Sequence, residues 1–200
     1  MPDLRFDQRV CVVTGAGGGL GRSHALELAR RGAKVLVNDL GGSLDGTGAS
    51  TRAAQRVVDE ITALGGEAAA NYDSVATPRG GQAVIDAALA AFGRVDVLVN
   101  NAGILRDKAF HKMDQSMVDA VIDGHLKGAF YVTQPAFRLM REQGYGRIIS
   151  TSSASGLFGN FGQANYGAAK AGIASLTTIT ALETQNPQCF SKPGNGMFWP

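Results

Sequence analysis

The sequence predicts an α/β fold, a doubly wound parallel sheet with helices on both faces in three layers, α/β/α. Two observations carry this expectation. Short β-branched runs bounded by turn residues alternate with longer segments whose apolar residues recur at spacings of three and four. The first of these runs also leads through a glycine-rich turn directly into a helical segment. Such alternation implies parallel strands, because each right-handed crossover brings the chain back to start the next strand in the same direction.

The elements follow in order. Residues 9–15 (RVCVVTG) form the first strand and residues 20–31 the first helix. Residues 33–39 (AKVLVND) form the second strand, followed by the long glycine-rich loop 40–50 and a helix over 51–64. The third strand spans 66–73 and its helix 82–92; the fourth strand spans 95–103, with a long helix over 114–143. Residues 146–153 (GRIISTSS) make the fifth strand. The sequence shows neither a repeat of fixed period nor a linker, so residues 1–184 are expected to form one domain.

Composition excludes several function classes. With 44% hydrophobic and 18% charged residues, a chain of 200 residues buries one substantial core and is too apolar for disorder. The net charge of +2 arises from 19 basic and 17 acidic side chains with no long run of either sign, which nominates neither a nucleic-acid nor a membrane-surface partner. Cys11 and Cys189 give no metal spacing and no disulfide framework, so no metal is expected and a reducing compartment fits. The charged start MPDLRFDQRV lacks the apolar core of a signal peptide, and no segment reaches the ~18 unbroken apolar residues of a membrane span. The expected location is cytoplasmic.

The first turn, TGAGGGLG, carries the first functional signal. A glycine-rich connection lets the backbone approach a pyrophosphate closely, and the helix N-terminus adds free N–H groups and partial positive charge. Gly15, Gly17, Gly19, Leu20 and Gly21 are therefore candidate dinucleotide-binding residues in a Rossmann-like fold. The second strand closes on Asp39, eighteen residues beyond Gly21. A carboxylate there accepts hydrogen bonds from the adenosine ribose hydroxyls and repels a 2′-phosphate, which favours NAD over NADP.

The second signal is NFGQANYGAAK, in which Tyr166 and Lys170 stand four residues apart with only glycine and alanine between. On a helix that spacing projects both side chains from one face, and the small residues 167–169 are expected to leave room for a cofactor. A free tyrosine has a pKa of about 10 and is a poor base at neutral pH; a neighbouring cation favours its phenolate. The pair reads as a general acid and base with the cation that tunes it.

From about residue 6 to about residue 182 the sequence resembles the short-chain dehydrogenase/reductase family. That family's T-G-x-x-x-G-x-G turn is met by Thr14, Gly15, Gly19 and Gly21, its N-N-A-G by Asn100, Asn101, Ala102 and Gly103, and its Y-x-x-x-K by Tyr166 and Lys170. Its catalytic serine, thirteen positions before the tyrosine, falls on Ser153. The resemblance implies that Asn101, Ala102 and Gly103 line the cofactor, that Asp73, Ser74 and Val75 meet the adenine ring, and that Lys170 holds the nicotinamide ribose. It also implies that Ser153 donates a hydrogen bond to the substrate oxygen as charge develops there. His125 stands where many members carry an asparagine that helps to hold a relay water. Imidazole can take that part, or can simply satisfy a helix carbonyl. His24 and His111 read as solvated or packing residues.

Strings outside the catalytic motifs, including VNDLGG, NNAGILRD, HLKGAF and GNFGQANY, narrow the resemblance to the (3R)-3-hydroxyacyl-CoA dehydrogenase domains of multifunctional enzymes. What it implies is an NAD-dependent oxidoreductase acting on a small-molecule secondary alcohol, an acyl-CoA thioester or alternatively a hydroxysteroid. It further implies a homodimer or homotetramer assembled through long helices near residues 125–143 and 163–183. The last sixteen residues, QNPQCFSKPGNGMFWP, hold three prolines and two glycines and match nothing in the family. Residues 185–200 are thus expected to be an irregular tail that could bring Phe190, Phe198 and Trp199 back over the fold, and the sheet is expected to lack the family's last two strands. A shortened, non-catalytic cofactor-binding or interaction protein is the alternative function.

Overall fold

A computed structural model describes residues 4–43, 45–48 and 50–184. Five strands, β1 (Val10–Thr14), β2 (Lys34–Asn38), β3 (Glu67–Asn71), β4 (Val97–Asn100) and β5 (Arg147–Ser150), form one parallel sheet in the order β3-β2-β1-β4-β5. Each strand stops short of its expected end. Asp39, Asp73 and Ser153 stand just beyond the last ladder positions, Asn38, Asn71 and Ser150. β5 is an edge strand among the described residues, and the expected tail, residues 185–200, lies outside them.

The helices are α1 (Gly19–Arg30), α2 (Arg52–Ala63), α3 (Pro78–Phe92), α4 (Gln115–Ile122), α5 (Gly128–Gln143), α6 (Ala154–Phe158) and α7 (Ala164–Thr184). The ladder register sets which side chains face which helices. Val12 pairs with Leu36 and Leu98, and their row packs with Val84, Ile85 and Ala88 of α3 and Val132, Ala136 and Met140 of α5. The alternate row, Cys11, Val13, Val35, Val37, Val97 and Val99, packs against Ala25, Leu26 and Ala29 of α1 and Val57, Val58 and Ile61 of α2. Both faces of the central strands are covered, which is why these strands read as continuous apolar runs rather than alternating ones.

Two helices differ from expectation. α3 begins at Pro78 rather than near residue 82, capped by Thr77, whose hydroxyl accepts from Gly80 N at 3.0 Å. Gly81 permits close contact with α5, where an added Cβ would fall 2.5 Å from the Tyr131 carbonyl carbon. The long helix expected over 114–143 is interrupted by a π turn, Asp123–Lys127, between α4 and α5. That turn carries His125.

At the opposite end of the sheet from the strand C-termini, Asp96 is fully buried and accepts from Val10 N at 3.0 Å, from Arg9 at 3.0 Å and from both ends of the Arg94 guanidinium at 2.8 and 2.7 Å. Cys11 is buried, and burial pushes its thiol up to about 12. None of the described helices is long and apolar enough to cross a membrane. The described residues hold no cluster of three metal-ligating His, Cys, Asp or Glu side chains.

Candidate active site

The C-terminal ends of the strands open into a groove of about 1180 Å³ that runs from the glycine turn past Asp39 and Asp73 to Gly103 and Gly124. The glycines of the turn divide into two kinds. Gly15 and Gly21 are packed: an added Cβ would lie 2.7 Å from Ala102 Cα in the first case and 2.2 Å from the Gly15 carbonyl in the second, and Gly15 also has φ +63°. Gly18 and Gly19 face open space, with nothing within 4 Å of an added Cβ. Gly18 is the N-cap of α1 without a side-chain cap, and the first turn of α1 carries no acid. Free backbone N–H groups at an uncapped helix start, bordering a groove, suit a dinucleotide pyrophosphate.

Asp39 holds the turn in shape. Its carboxylate accepts from Gly17 N at 2.8 Å and from Gly41 N at 2.6 Å, and a Cβ on Gly17 would lie 2.7 Å from Asp39 Cγ. Asp73 is fixed in turn by Asn71, which donates to its carboxylate at 2.7 Å, while Asn38 donates to its carbonyl at 2.9 Å. Ser74 and Val75 continue the same wall.

Thr14 ties the fourth-strand motif to the turn. Its hydroxyl accepts from Asn101 N at 3.0 Å and Ala102 N at 3.1 Å, and Asn101 Nδ2 donates back to the carbonyls of Thr14 and Gly15 at 3.0 and 3.1 Å. Gly103 is required by His125: a Cβ there would fall 1.9 Å from the imidazole Cε1. The imidazole Nε2 lies 2.8 Å from the Ile104 carbonyl oxygen and 3.0 Å from the Ile104 amide nitrogen. With its proton on Nε2 the ring donates to that carbonyl; without it the ring accepts from the amide, so Ile104 satisfies Nε2 in either tautomer. Nδ1 is buried with no partner. Burial, and then the charge of Lys170, bring the imidazole down to about 4 against the opposing pull of the Ile104 bond, so it is neutral at neutral pH.

Tyr166 and Lys170 sit in the first two turns of α7. The Lys170 Nζ lies 5.6 Å from the Tyr166 ring centre, and the His125 ring meets Tyr166 edge-on, 5.2 Å between centres at 86°. Lys170 Nζ donates to the Thr151 carbonyl at 2.6 Å, and burial lowers it to about 8. Together with Thr14, Asn100 and His125 it lines a cavity of about 10 Å³, about the room one water needs. Ser153 is the N-cap of α6, its Oγ accepting from Ser155 N at 3.2 Å. α6 lies against α7 at Gly156 and Gly167, where added Cβ atoms would fall 2.7 Å from Ala171 N and 2.9 Å from the Ser155 carbonyl. The space beside Gly167, expected to accommodate a cofactor, is thus filled by α6.

The structure therefore brings Tyr166, Lys170 and His125 into one cluster, with Ser153 on the adjoining helix start and no described hydrogen bond between Ser153 and Tyr166. Thr151 and Ile104 are positioning groups that the sequence does not single out. Both act through the backbone, for which no side-chain pattern exists. His24 and His111 are both exposed.

The family model for short chain dehydrogenases matches residues 9–188. A peroxisomal multifunctional enzyme type 2 from Drosophila melanogaster is 59% identical over 180 residues, 90% of this chain and 30% of that protein. The hydroxyacyl-CoA dehydrogenase ChsB1 of Mycobacterium tuberculosis is 45% identical over 184 residues, 86% of this chain and 56% of its own length. This chain thus spans less than two thirds of either relative. Among solved structures, a 7α-hydroxysteroid dehydrogenase complexed with NADH and 7-oxo glycochenodeoxycholic acid matches with a TM-score of 0.82 at 30% identity, covering 90% of this chain and 67% of that one. The match over residues 9–188 places this chain in the short chain dehydrogenase family.

Proposed function

We propose that this chain is an NAD-dependent oxidoreductase domain that interconverts a secondary alcohol and its ketone, with a (3R)-3-hydroxyacyl-CoA as the substrate. The observation that carries the reading is the cluster of Tyr166, Lys170 and neutral His125, whose imidazole packs on Gly103 where that glycine lines the end of the groove. A bound nicotinamide supplies the hydride acceptor. The residues of the chain manage the proton and the developing charge.

In the oxidative direction the substrate hydroxyl gives its proton to the Tyr166 oxygen while the carbinol hydride leaves. The Lys170 ammonium, held on the Thr151 carbonyl, favours the phenolate that accepts this proton. Ser153 uses an Oγ lone pair to cap α6, which leaves its hydroxyl hydrogen free to donate to the substrate oxygen. His125, whose Nδ1 is buried without a partner, and Lys170 line one water-sized cavity, so a water there would pass the proton onward without the imidazole needing to become charged. Asp39, fixed by two amides, offers its remaining lone pairs to the adenosine ribose and disfavours a 2′-phosphate, which supports NAD. Gly15, Gly17, Gly19, Leu20, Gly21, Asp73, Ser74, Val75, Asn101, Ala102 and Gly103 complete the cofactor wall.

The hydroxyacyl thioester is favoured by the relative named a hydroxyacyl-CoA dehydrogenase, and a hydroxysteroid by the solved relative bound to a 7-oxo bile acid derivative. Exposed Phe130 on α5 and Ile179 and Leu182 on α7 support assembly into a homodimer or homotetramer. The cytoplasm is the compartment the sequence favours, and a peroxisomal relative sets the alternative; fractionation of the native protein separates them. The test of activity is turnover of 3-hydroxyacyl-CoA and of 7-hydroxysteroid with NAD, alongside direct measurement of NAD binding. Reduction of NAD by the thioester supports the reading, and NAD binding with no hydride transfer from either alcohol refutes it.

A further inference from the structure

Asn165 is buried next to the phenol and takes no part in the proton chemistry, yet its carboxamide is bonded on both sides. Its Nδ2 donates to the Arg106 carbonyl at 3.0 Å and to the Met117 carbonyl at 3.1 Å, and its Oδ1 accepts from Tyr166 N at 2.8 Å. Two acceptors on one side and a donor on the other admit a single orientation of the amide. The three bonds join the loop after β4, helix α4 and the first turn of α7. Because α7 starts at Ala164, the Tyr166 amide is one of the first-turn N–H groups that a helix leaves without an internal partner. Asn165 supplies that partner and fastens the turn to the rest of the site.

The loop after β4 is the common support. Ile104 holds the His125 Nε2 through its backbone, and Arg106, two residues on, holds Asn165 through its carbonyl. The Arg106 guanidinium donates to the carbonyls of Asp45 at 2.9 Å and Ser116 at 3.3 Å, which pins the same segment from its outer side. The imidazole and the turn that carries the phenol are therefore anchored to one short stretch, residues 104–106, and their rings meet edge-on with 5.2 Å between centres. Among the described residues the Tyr166 hydroxyl makes no hydrogen bond, so its place follows from how the turn is held.

We propose that Asn165 is a positioning residue for the Tyr166 phenol: it sets the first turn of α7 against residues 104–106, and so fixes where the proton acceptor stands relative to His125 and the substrate hydroxyl. The inference rests on the oxidoreductase reading of the site. A buried amide whose two donors and acceptor are all engaged holds one geometry, because any displacement leaves a buried polar group unpaired. Loss of that tie moves the phenol without touching the groove in which the dinucleotide lies.

The test compares the full chain with its Asn165→Ala variant, using NAD and a 3-hydroxyacyl-CoA. kcat per NAD-binding site is expected to fall roughly tenfold to a hundredfold, the cost of a small misplacement of a reacting group. KM and the Kd for NAD should stay within about twofold of the parent, the split expected when only the chemical step is touched. The second readout needs no turnover: a nuclear Overhauser contact between the His125 and Tyr166 rings, assigned in tyrosine-labelled protein with Tyr166→Phe, should be present in the parent and lost in the variant. Asn165→Ser, which keeps an acceptor for the Tyr166 amide and only one donor, provides a second background should the alanine variant fail to fold, and the same losses are expected in it. An unchanged kcat overturns the proposal, as does a ring contact that persists in the variant, or a loss of kcat matched by an equal loss of NAD binding. Should the parent turn over neither a hydroxyacyl thioester nor a hydroxysteroid, the oxidoreductase reading fails, and the ring contact alone decides whether Asn165 places Tyr166.

Discussion

The ammonium of Lys170 is held between a carbonyl and a ring: it donates to Thr151 O at 2.6 Å and stands 5.6 Å from the centre of Tyr166. The carbonyl belongs to the segment that follows β5, and the ring to the same helix as the lysine. A charge anchored from the sheet is therefore applied to a phenol carried by α7. Lys170 is buried, and the Thr151 carbonyl is the hydrogen-bond partner that satisfies its ammonium there. Burial lowers Lys170 to about 8, so it is charged at neutral pH and loses that charge a little above it.

This gives a sign for the pH dependence of turnover. kcat/KM reports groups of the free enzyme, and the Lys170 ammonium is present below pH about 8 and lost above it. kcat/KM should therefore show an alkaline limb centred near that value. Lys170→Arg keeps the charge at all accessible pH, so the limb should leave the window. A limb that persists in the arginine variant at the same pH would assign it to another group.

Stability at acid pH should depend on His125. Its folded-state value, about 4, is below the ordinary 6.5. Between those values the unfolded chain binds the proton and the native state does not, so stability present above pH 6.5 is lost as pH falls through 4. The shift corresponds to about 3 kcal/mol. Denaturant unfolding at pH 7, 5.5 and 4 should show a steeper loss for the unchanged chain than for His125→Asn, and equal slopes would refute the buried neutral imidazole.

Much of the site was legible because its signals are local. The glycine turn, Asp39 and the Tyr166–Lys170 spacing each lie within one strand, turn or helix, where period and turn chemistry fix geometry. The rest depends on distant groups meeting. The partners of Lys170 and His125 are the backbones of Thr151 and Ile104, which no residue type announces. α6 gives no signal in the sequence because five residues containing Gly156 offer too few periodic positions. The π turn at His125 is indistinguishable from plain helix in the sequence because a single wide turn leaves the apolar spacing on either side intact.

Asp96 tests what holds the sheet together away from the site. Burial alone would raise its carboxyl, but the bonds from Arg94, Val10 N and Arg9 outweigh that and keep it below the usual carboxylate range. A depressed acid contributes stability above its unfolded value of about 4 and loses it as pH falls through the folded one. Asp96→Asn should cost about 1–3 kcal/mol at pH 7, in the range of charge-assisted hydrogen bonds. The two arginines are part-exposed and can turn to water, which keeps the cost from rising further. The difference between the two chains should narrow below pH 4, and a constant difference would mean that the carboxylate charge is not what matters.

The contact between Gly103 and His125 offers a test of packing at the site itself. An alanine at 103 would place its Cβ 1.9 Å from the imidazole Cε1, and the ring cannot retreat while Nε2 is bound to Ile104 and its edge rests on Tyr166. Gly103→Ala should therefore destabilise the fold by about 1–3 kcal/mol as an overpacked substitution. In a chain already carrying His125→Ala the imidazole is gone, and the same change should cost far less. The coupling between the two sites should be favourable by about 0.5–3 kcal/mol, the range for residues in direct contact. It would be read from the unfolding free energies of the parent, both single variants and the double variant. Additive costs would show that glycine at 103 is needed for some reason other than the imidazole, and would remove the steric basis for placing His125 beside the fourth-strand motif.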